Sequence, residues 1–381
     1  MNARDEEKES ADFVIPRLAR FEGPLALESG RSLPGCEIAY EQYGELDAAR
    51  TNAILLCHTY SSDHRAAGRR SPQDAPGWWD ALIGPGRVLD TRRYCVLSSN
   101  CLGGSAGSTG PSSPEPGTGR RWGMRFPVIT MSDIVAAQAR LADRLGIARF
   151  HSVVGGCFGG AQVLQWMADR PERVGHAVVI SATARASVHT VALAQVARAA
   201  VRCDPRWKGG DYADDEPPVE GIGLLTMFGS LFWQDRELLQ RQFGPEMAEP
   251  RRFRFDFEPE FAIEKLLARL SRPQNVKLDA NTLLYLSRAN DYFDVARGRG
   301  GLAAALGGFR GPALLLGFRQ DWRYPVHEMA EIALALRENG APVRHVVLDN
   351  AIGHAAFLRE PECVAPHLEA SLREADLAAW G

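Results

Sequence analysis

Short, unbroken apolar runs alternate along this chain with longer amphipathic stretches. The runs "NAILLCH" (52–58), "YCVLSSN" (94–100), "FHSVVGG" (150–156), "GHAVVISA" (175–182), "GPALLLGF" (311–318) and "VRHVVLD" (343–349) each have the length of one strand. Apolar residues at successive positions suit strands covered on both faces. "CEIAYEQYG" (36–44) reads as a further strand. Between these runs lie helix patterns. In 132–147, Ile134, Ala137, Leu141 and Leu145 fall on one side, with Ser132 or Asp133 as the cap. "FGGAQVLQWMADRP" stops before Pro171, and further helices are predicted over 325–339 and from about 362. This alternation predicts an α/β fold: a mostly parallel sheet with right-handed crossovers, flanked by helices.

The pattern breaks between residues 185 and 305. Helical stretches at 187–202, 220–243, 259–270 and 280–294 follow one another without an apolar strand run. A helical insertion between the sixth and seventh strands reads as a lid. The expected organisation is an N-terminal arm (1–20), a core domain (21–184 and 306–381) and the lid (185–305). Residues 102–127 form a long loop rich in Gly, Ser and Pro, of the kind that is functional or disordered.

Composition narrows the function. The 381 residues carry a net charge of −3 and are 45% hydrophobic, so nothing suggests nucleic acid or an anionic membrane as partner. The basic run Arg251-Arg252-Phe253-Arg254 is short and reads as surface. The polar N-terminus lacks a signal-peptide core, and no apolar run approaches the ~18 residues of a membrane span. Seven scattered cysteines without a CxxC pair fit a reducing cytoplasm, with neither a disulfide framework nor a metal site.

One cysteine stands apart. "VVGGCFGGAQ" places Cys157 between a strand and a helix, in the pattern Gly-x-nucleophile-x-Gly. Glycines at 155, 156, 159 and 160 let strand and helix approach closely. The helix N-terminus behind residue 157 favours a thiolate and an oxyanion. The same turn could also hold an inert cysteine. Its partners decide for the nucleophile: Asp321 follows the strand 311–318, and His354 follows the strand 343–349. Each sits at a carboxyl strand end, where such sheets place their sites. The roles that follow are nucleophile, orienting acid and base for Cys157, Asp321 and His354. The backbone N–H of Phe158 and of Tyr60, in "HTYSS", would bind the oxyanion. His58 reads as structural, bonding the backbone of its loop.

These stretches resemble the homoserine O-acetyltransferase family of α/β-hydrolase-fold enzymes. "LLCHTYSSD", "FPVITMSDIVAAQ", "VVGGCFGG", "DPRWKGGDY", "DANTLLYLSRANDYFD", "GHAAFL" and the long segment containing "GPSSPEPGTG" carry the resemblance, over about residues 20 to 375. It implies ping-pong acyl transfer from acyl-CoA, no tightly bound cofactor, and a homodimer formed through the lid helices. Some relatives are esterases.

The sequence departs from the family pattern in three ways. The family nucleophile is serine, and here it is Cys157. The family has an Asp after the histidine that helps to hold the substrate amino group, and here it is Ala355. An Arg and a Tyr in the lid contact homoserine, and ungapped alignment puts Thr226 and Trp233 in their places. Arg198 or Tyr212 could supply replacement anchors. The expected activity is acyl transfer through an acyl-Cys157 thioester to an acceptor other than homoserine. A hydrolase using the same residues, and a non-catalytic binding protein on this scaffold, are the alternatives.

Overall fold

The computed structural model describes residues 13–244, 253, 255–272 and 279–379. Eight strands form one sheet: β1 (Arg17–Ala26), β2 (Ser32–Tyr43), β3 (Ala53–Cys57), β4 (Cys95–Ser99), β5 (Ser152–Gly156), β6 (Ala177–Ile180), β7 (Ala313–Phe318) and β8 (Val343–Leu348). Their order is β1-β2-β4-β3-β5-β6-β7-β8. The first two pairings, β1 with β2 and β2 with β4, are antiparallel, and the remaining five are parallel. Every residue of β3, β4, β5, β6 and β7 is buried, as their unbroken apolar runs require.

The first strand departs from the sequence reading. Residues 17–20, assigned there to a loose arm, pair with Tyr40, Ala39, Ile38 and Glu37 in β1. Of its ten residues only Ala19 and Leu25 are buried, so an edge strand hides behind a polar sequence. The rest of the expected arm, 1–12, and the arginines at 251, 252 and 254 lie outside the described residues.

Helix α1 (Met131–Arg144) is capped by Thr130 rather than by Ser132 or Asp133. Thr130 accepts from the Asp133 N–H, and the Asp133 side chain accepts from the Thr130 N–H. This reciprocal pair satisfies two otherwise unpaired donors. Helix α2 (Phe158–Asp169) packs beside α1 through a buried polar bridge. Gln138 donates to Gln162 at 2.7 Å and accepts from the Trp166 indole at 2.8 Å. The loop 102–127 is ordered by its own backbone bonds, such as Gly103 N–H to Thr109 O at 2.8 Å.

Between β6 and β7 the described residues hold α3 (Val188–Cys203), α4 (Val219–Phe232), α5 (Arg236–Phe243), α6 (Ala262–Leu270), α7 (Ala280–Asp291) and the short α8 (Leu302–Leu306). The helix expected over 220–243 is two helices. Asp235 caps α5 by accepting from the N–H groups of Glu237 and Leu238, which breaks the run after Trp233. Val201, Tyr212, Ile222, Ala280, Leu283 and Leu284 form a small core of their own. The opposite side of α7 belongs to the main core through Tyr285, Leu286 and Ala289. The C-terminal part comprises α9 (Val326–Glu338), α10 (Ala356–Arg359) and α11 (Ala365–Ala379).

Candidate active site

The parallel strands point their carboxyl ends one way, and the sheet order reverses direction between β3 and β5. The loops after β3, β5, β7 and β8 therefore converge on one rim. They carry Tyr60, Cys157, Asp321 and His354.

Cys157 occupies the turn from β5 to α2 with φ 56° and ψ −122°. A non-glycine residue there stores roughly 1–3 kcal/mol of strain. The turn is held by the bonds Cys157 N–H to Ile180 O (2.9 Å) and Ala161 N–H to Cys157 O (3.2 Å). Close packing demands glycine beside it. A Cβ at Gly159 would fall 2.1 Å from the Cys57 carbonyl oxygen, and one at Gly156 would fall 2.5 Å from the Phe357 ring.

His354 Nδ1 and Asp321 Oδ2 are 2.7 Å apart, both side chains buried. The second Asp321 oxygen accepts from the N–H groups of Arg323 (3.0 Å) and Tyr324 (2.9 Å). Asp321 is thus fixed by its own loop, and it fixes His354 in turn.

Burial acts to raise the Cys157 pKa. The charge and hydrogen bonding of His354, the charge of Arg323 and the Phe158 N–H outweigh it and leave the thiol below its ordinary range. Burial acts to lower the His354 pKa, but Asp321 and Cys157 lift it to about 9. Burial pushes the thiols of Cys36, Cys57, Cys95, Cys101 and Cys363 the other way, upward. A thiolate–imidazolium pair is the arrangement these charges favour.

The thiol opens on a cavity of about 260 Å³. Tyr60, Phe158, Trp233 and Ala355 line it, with an apolar wall that includes Leu193, Leu225, Phe228 and Phe232. Such a mostly apolar cavity with a few convergent polar groups is the usual form of a small-molecule site.

A family model for the α/β-hydrolase fold matches residues 52–361. The chain is 44% identical over 353 residues to a homoserine O-succinyltransferase from Litchfieldella anticariensis, covering 92% of this chain and 90% of that protein. It is 39% identical to a homoserine O-acetyltransferase from Methanosalsum zhilinae, over 93% of this chain and 72% of that one. The crystal structure of homoserine O-acetyltransferase from Bacillus anthracis superposes with a TM-score of 0.88 at 28% identity, covering 95% of this chain and 98% of that one. This chain belongs to the homoserine O-acetyltransferase family. Esterase E22 is also similar, with a TM-score of 0.86 at 26% identity over 94% of this chain and 100% of that one.

Not every family position nominated from the sequence reaches the cavity of this homoserine O-acetyltransferase-family protein. Thr226 does not line it. On α4 the lining residues are Leu225, Phe228, Gly229 and Phe232, one face at helical spacing. Thr226 is turned off that face, and its hydroxyl donates to the Ile222 carbonyl at 2.9 Å. Arg198 is committed elsewhere, to Asp291 at 2.7 Å and Ser287 at 3.2 Å. Tyr212 donates to Asp279 within the smaller core. Neither Arg198 nor Tyr212 lines the cavity.

Tyr60 and Phe158 meet edge to face with ring centroids 6.0 Å apart. The Tyr60 hydroxyl donates to the Leu283 carbonyl, tying the β3 loop to α7. The Tyr60 N–H has no backbone acceptor among the described residues. His58 is structural, as expected: Nδ1 lies 2.8 Å from the Thr59 carbonyl, and Nε2 accepts from the Cys101 N–H at 3.0 Å. Arg323 lines the cavity and was missed, because a lone arginine in a loop reads as solvated. Its one signal was its place two residues after Asp321, on the same strand-end loop.

Among the described residues, no helix is long and apolar enough to cross a membrane.

Proposed function

We propose that this protein transfers an acyl group from acyl-CoA to a small acceptor through an acyl-Cys157 thioester. The lowered thiol of Cys157 beside a raised, Asp321-bound His354 carries this reading. The Cys157 sulfur attacks the thioester carbonyl and forms a carbon–sulfur bond. The N–H groups of Tyr60 and Phe158 hold the oxyanion. Its collapse breaks the bond to the CoA sulfur, which leaves with the proton carried by His354. Neutral His354 then takes the proton of the acceptor, whose oxygen, nitrogen or sulfur attacks the acyl-Cys157 carbonyl. Breaking the bond to Cys157 restores the thiolate–imidazolium pair. Exchange between thioesters keeps most of the transfer potential of the donor.

The helices of residues 185–305 act in this reading as a lid that keeps water from the thioester, and as the dimer surface. The acceptor lacks a free amino group and is not homoserine, although the names of the relatives point to that substrate. Among the described residues no Asp or Glu lines the cavity, and Ala355 stands in its wall. An ammonium group would be desolvated there without a partner. The protein works in the cytoplasm.

Initial rates over a matrix of acyl-CoA and acceptor concentrations test the reading. Parallel double-reciprocal lines are the expected result. CoA release at one rate, whatever the acceptor concentration, would instead make the protein a thioesterase, a reading that the likeness to esterase E22 favours.

A further inference from the structure

Helix α4 carries three glycines, at 221, 223 and 229. Glycine inside a helix is less favourable than alanine, so each position calls for a reason. Packing supplies it for the first two. A Cβ at Gly221 would fall 2.8 Å from the Ala200 carbonyl oxygen, and one at Gly223 would fall 2.8 Å from the Ser271 carbonyl oxygen. Packing supplies none for Gly229. A Cβ there would meet nothing closer than the Trp233 ring at 3.6 Å, an ordinary van der Waals contact. Nor does Gly229 have the positive φ that would require glycine.

What sets Gly229 apart is that it lines the cavity that holds Cys157, whereas Gly221 and Gly223 do not. The wall around it is apolar. Among the described residues, no polar side chain of α3 or α4 lines the cavity, and Ala194 and Ala197 on α3 are small as well. The polar lining groups, such as Asn290, Arg323 and His354, come from α7 and the strand-end loops. An apolar cavity of roughly 150 Å³ takes in a benzene molecule. This cavity is about 260 Å³, large enough for the reacting groups and an apolar substituent beside them.

We propose that Gly229 is a specificity-determining residue, and that the space left by its missing side chain receives an alkyl or aryl group of a substrate. The source is either the acyl chain of the thioester or the carbon skeleton of the acceptor. This assignment rests on the acyl-transfer reading above. A side chain at position 229 would occupy that space without disturbing the helix backbone.

The test measures each half-reaction on the intact protein, on Gly229→Ala and on Gly229→Leu, with thermal melts to establish folding. One arm compares acylation of Cys157 by hexanoyl-CoA and by acetyl-CoA, followed by intact mass. The other compares discharge of preformed acetyl-Cys157 by 1-hexanol and by ethanol. The readout is the ratio of large to small substrate within each variant, so a general loss of rate cancels. The expected result is a ratio that falls about tenfold or more in Gly229→Leu in one arm, and that arm identifies the source. Gly229→Ala should show a smaller fall in the same arm and yet melt above the parent, because alanine is the better helix former. That combination of gained stability and lost preference is not what a purely structural glycine would give. If Gly229→Leu does not fold, the Gly229→Ala ratio decides. A parent protein that accepts neither hexanoyl-CoA nor 1-hexanol, or a ratio unchanged in both arms by the folded variants, overturns the assignment while leaving acyl transfer intact. No adduct with any thioester, acetyl-CoA included, overturns the acyl-transfer reading and the assignment with it.

Discussion

His354 and Asp321 meet at 2.7 Å with the remaining Asp321 oxygen saturated by the N–H groups of residues 323 and 324. The carboxylate therefore cannot turn away from the imidazole without losing two bonds to its own loop. This places a proton on His354 Nδ1 and leaves Nε2 for the sulfur.

Asp321→Asn should keep the fold and present a donor where an acceptor is needed. A loss of about 10²-fold in kcat is expected, milder than for an alkoxide-dependent enzyme because a thiolate depends less on its base. His354→Ala should lose at least tenfold more. Steady-state rates check the order, and an Asp321→Asn protein slower than His354→Ala would contradict it.

Selective alkylation follows from the charges at the site. The Cys157 thiol is lowered, whereas Cys203 is an exposed cysteine outside the site. As pH falls below the ordinary thiol range near 9, Cys157 keeps its thiolate until its own lower pKa is passed. Iodoacetamide at pH 6 should thus label Cys157 ahead of Cys203, with loss of activity in step. Peptide mapping reads both sites. Removal of the His354 charge in His354→Ala should erase the preference.

The two glycines of the turn should respond differently to a methyl group. At Gly159 the obstacle is the Cys57 backbone of β3, which cannot move without breaking the sheet. At Gly156 it is the Phe357 ring, a side chain rather than backbone. Gly159→Ala should cost about 3 kcal/mol or more and Gly156→Ala about 1 kcal/mol, as overpacking does. Denaturant melts check the order.

Much of this site was legible because each of its groups follows its own apolar strand. Cys157, Asp321 and His354 stand at the ends of β5, β7 and β8, and a buried strand leaves a clear mark in sequence. The first strand left none. Its residues are mostly exposed, and its pairing with β2 rests on backbone bonds that no side-chain pattern records. That Thr226 stands off the cavity was hidden for a related reason. Ungapped alignment counts residues along α4 but does not say which face meets the cavity, and one position turns a helix by about 100°. The break after Trp233 is set by a single cap, Asp235, within a run that reads as continuous. Arg323 was missed because a lone loop arginine reads as solvated, and only the cavity around it, with no Asp or Glu in its wall among the described residues, marks it.

Substrate choice can be moved by one residue. Ala355 lines the cavity wall next to His354. Ala355→Asp would place a carboxylate where an ammonium group could meet it. A charge-assisted contact contributes about 1.5–3 kcal/mol, so the ratio of kcat/KM for L-homoserine over 4-hydroxybutanoate should rise at least tenfold. A fall in that ratio would mean that the amino group lies elsewhere.

The most direct test of the central claim is the intact mass of the protein after brief exposure to a panel of acyl-CoAs, followed by peptide mapping. The account predicts a mass increase equal to one acyl group, located on Cys157, removed by hydroxylamine and absent in Cys157→Ala. An active protein that never carries the acyl group, or carries it on another residue, would contradict it.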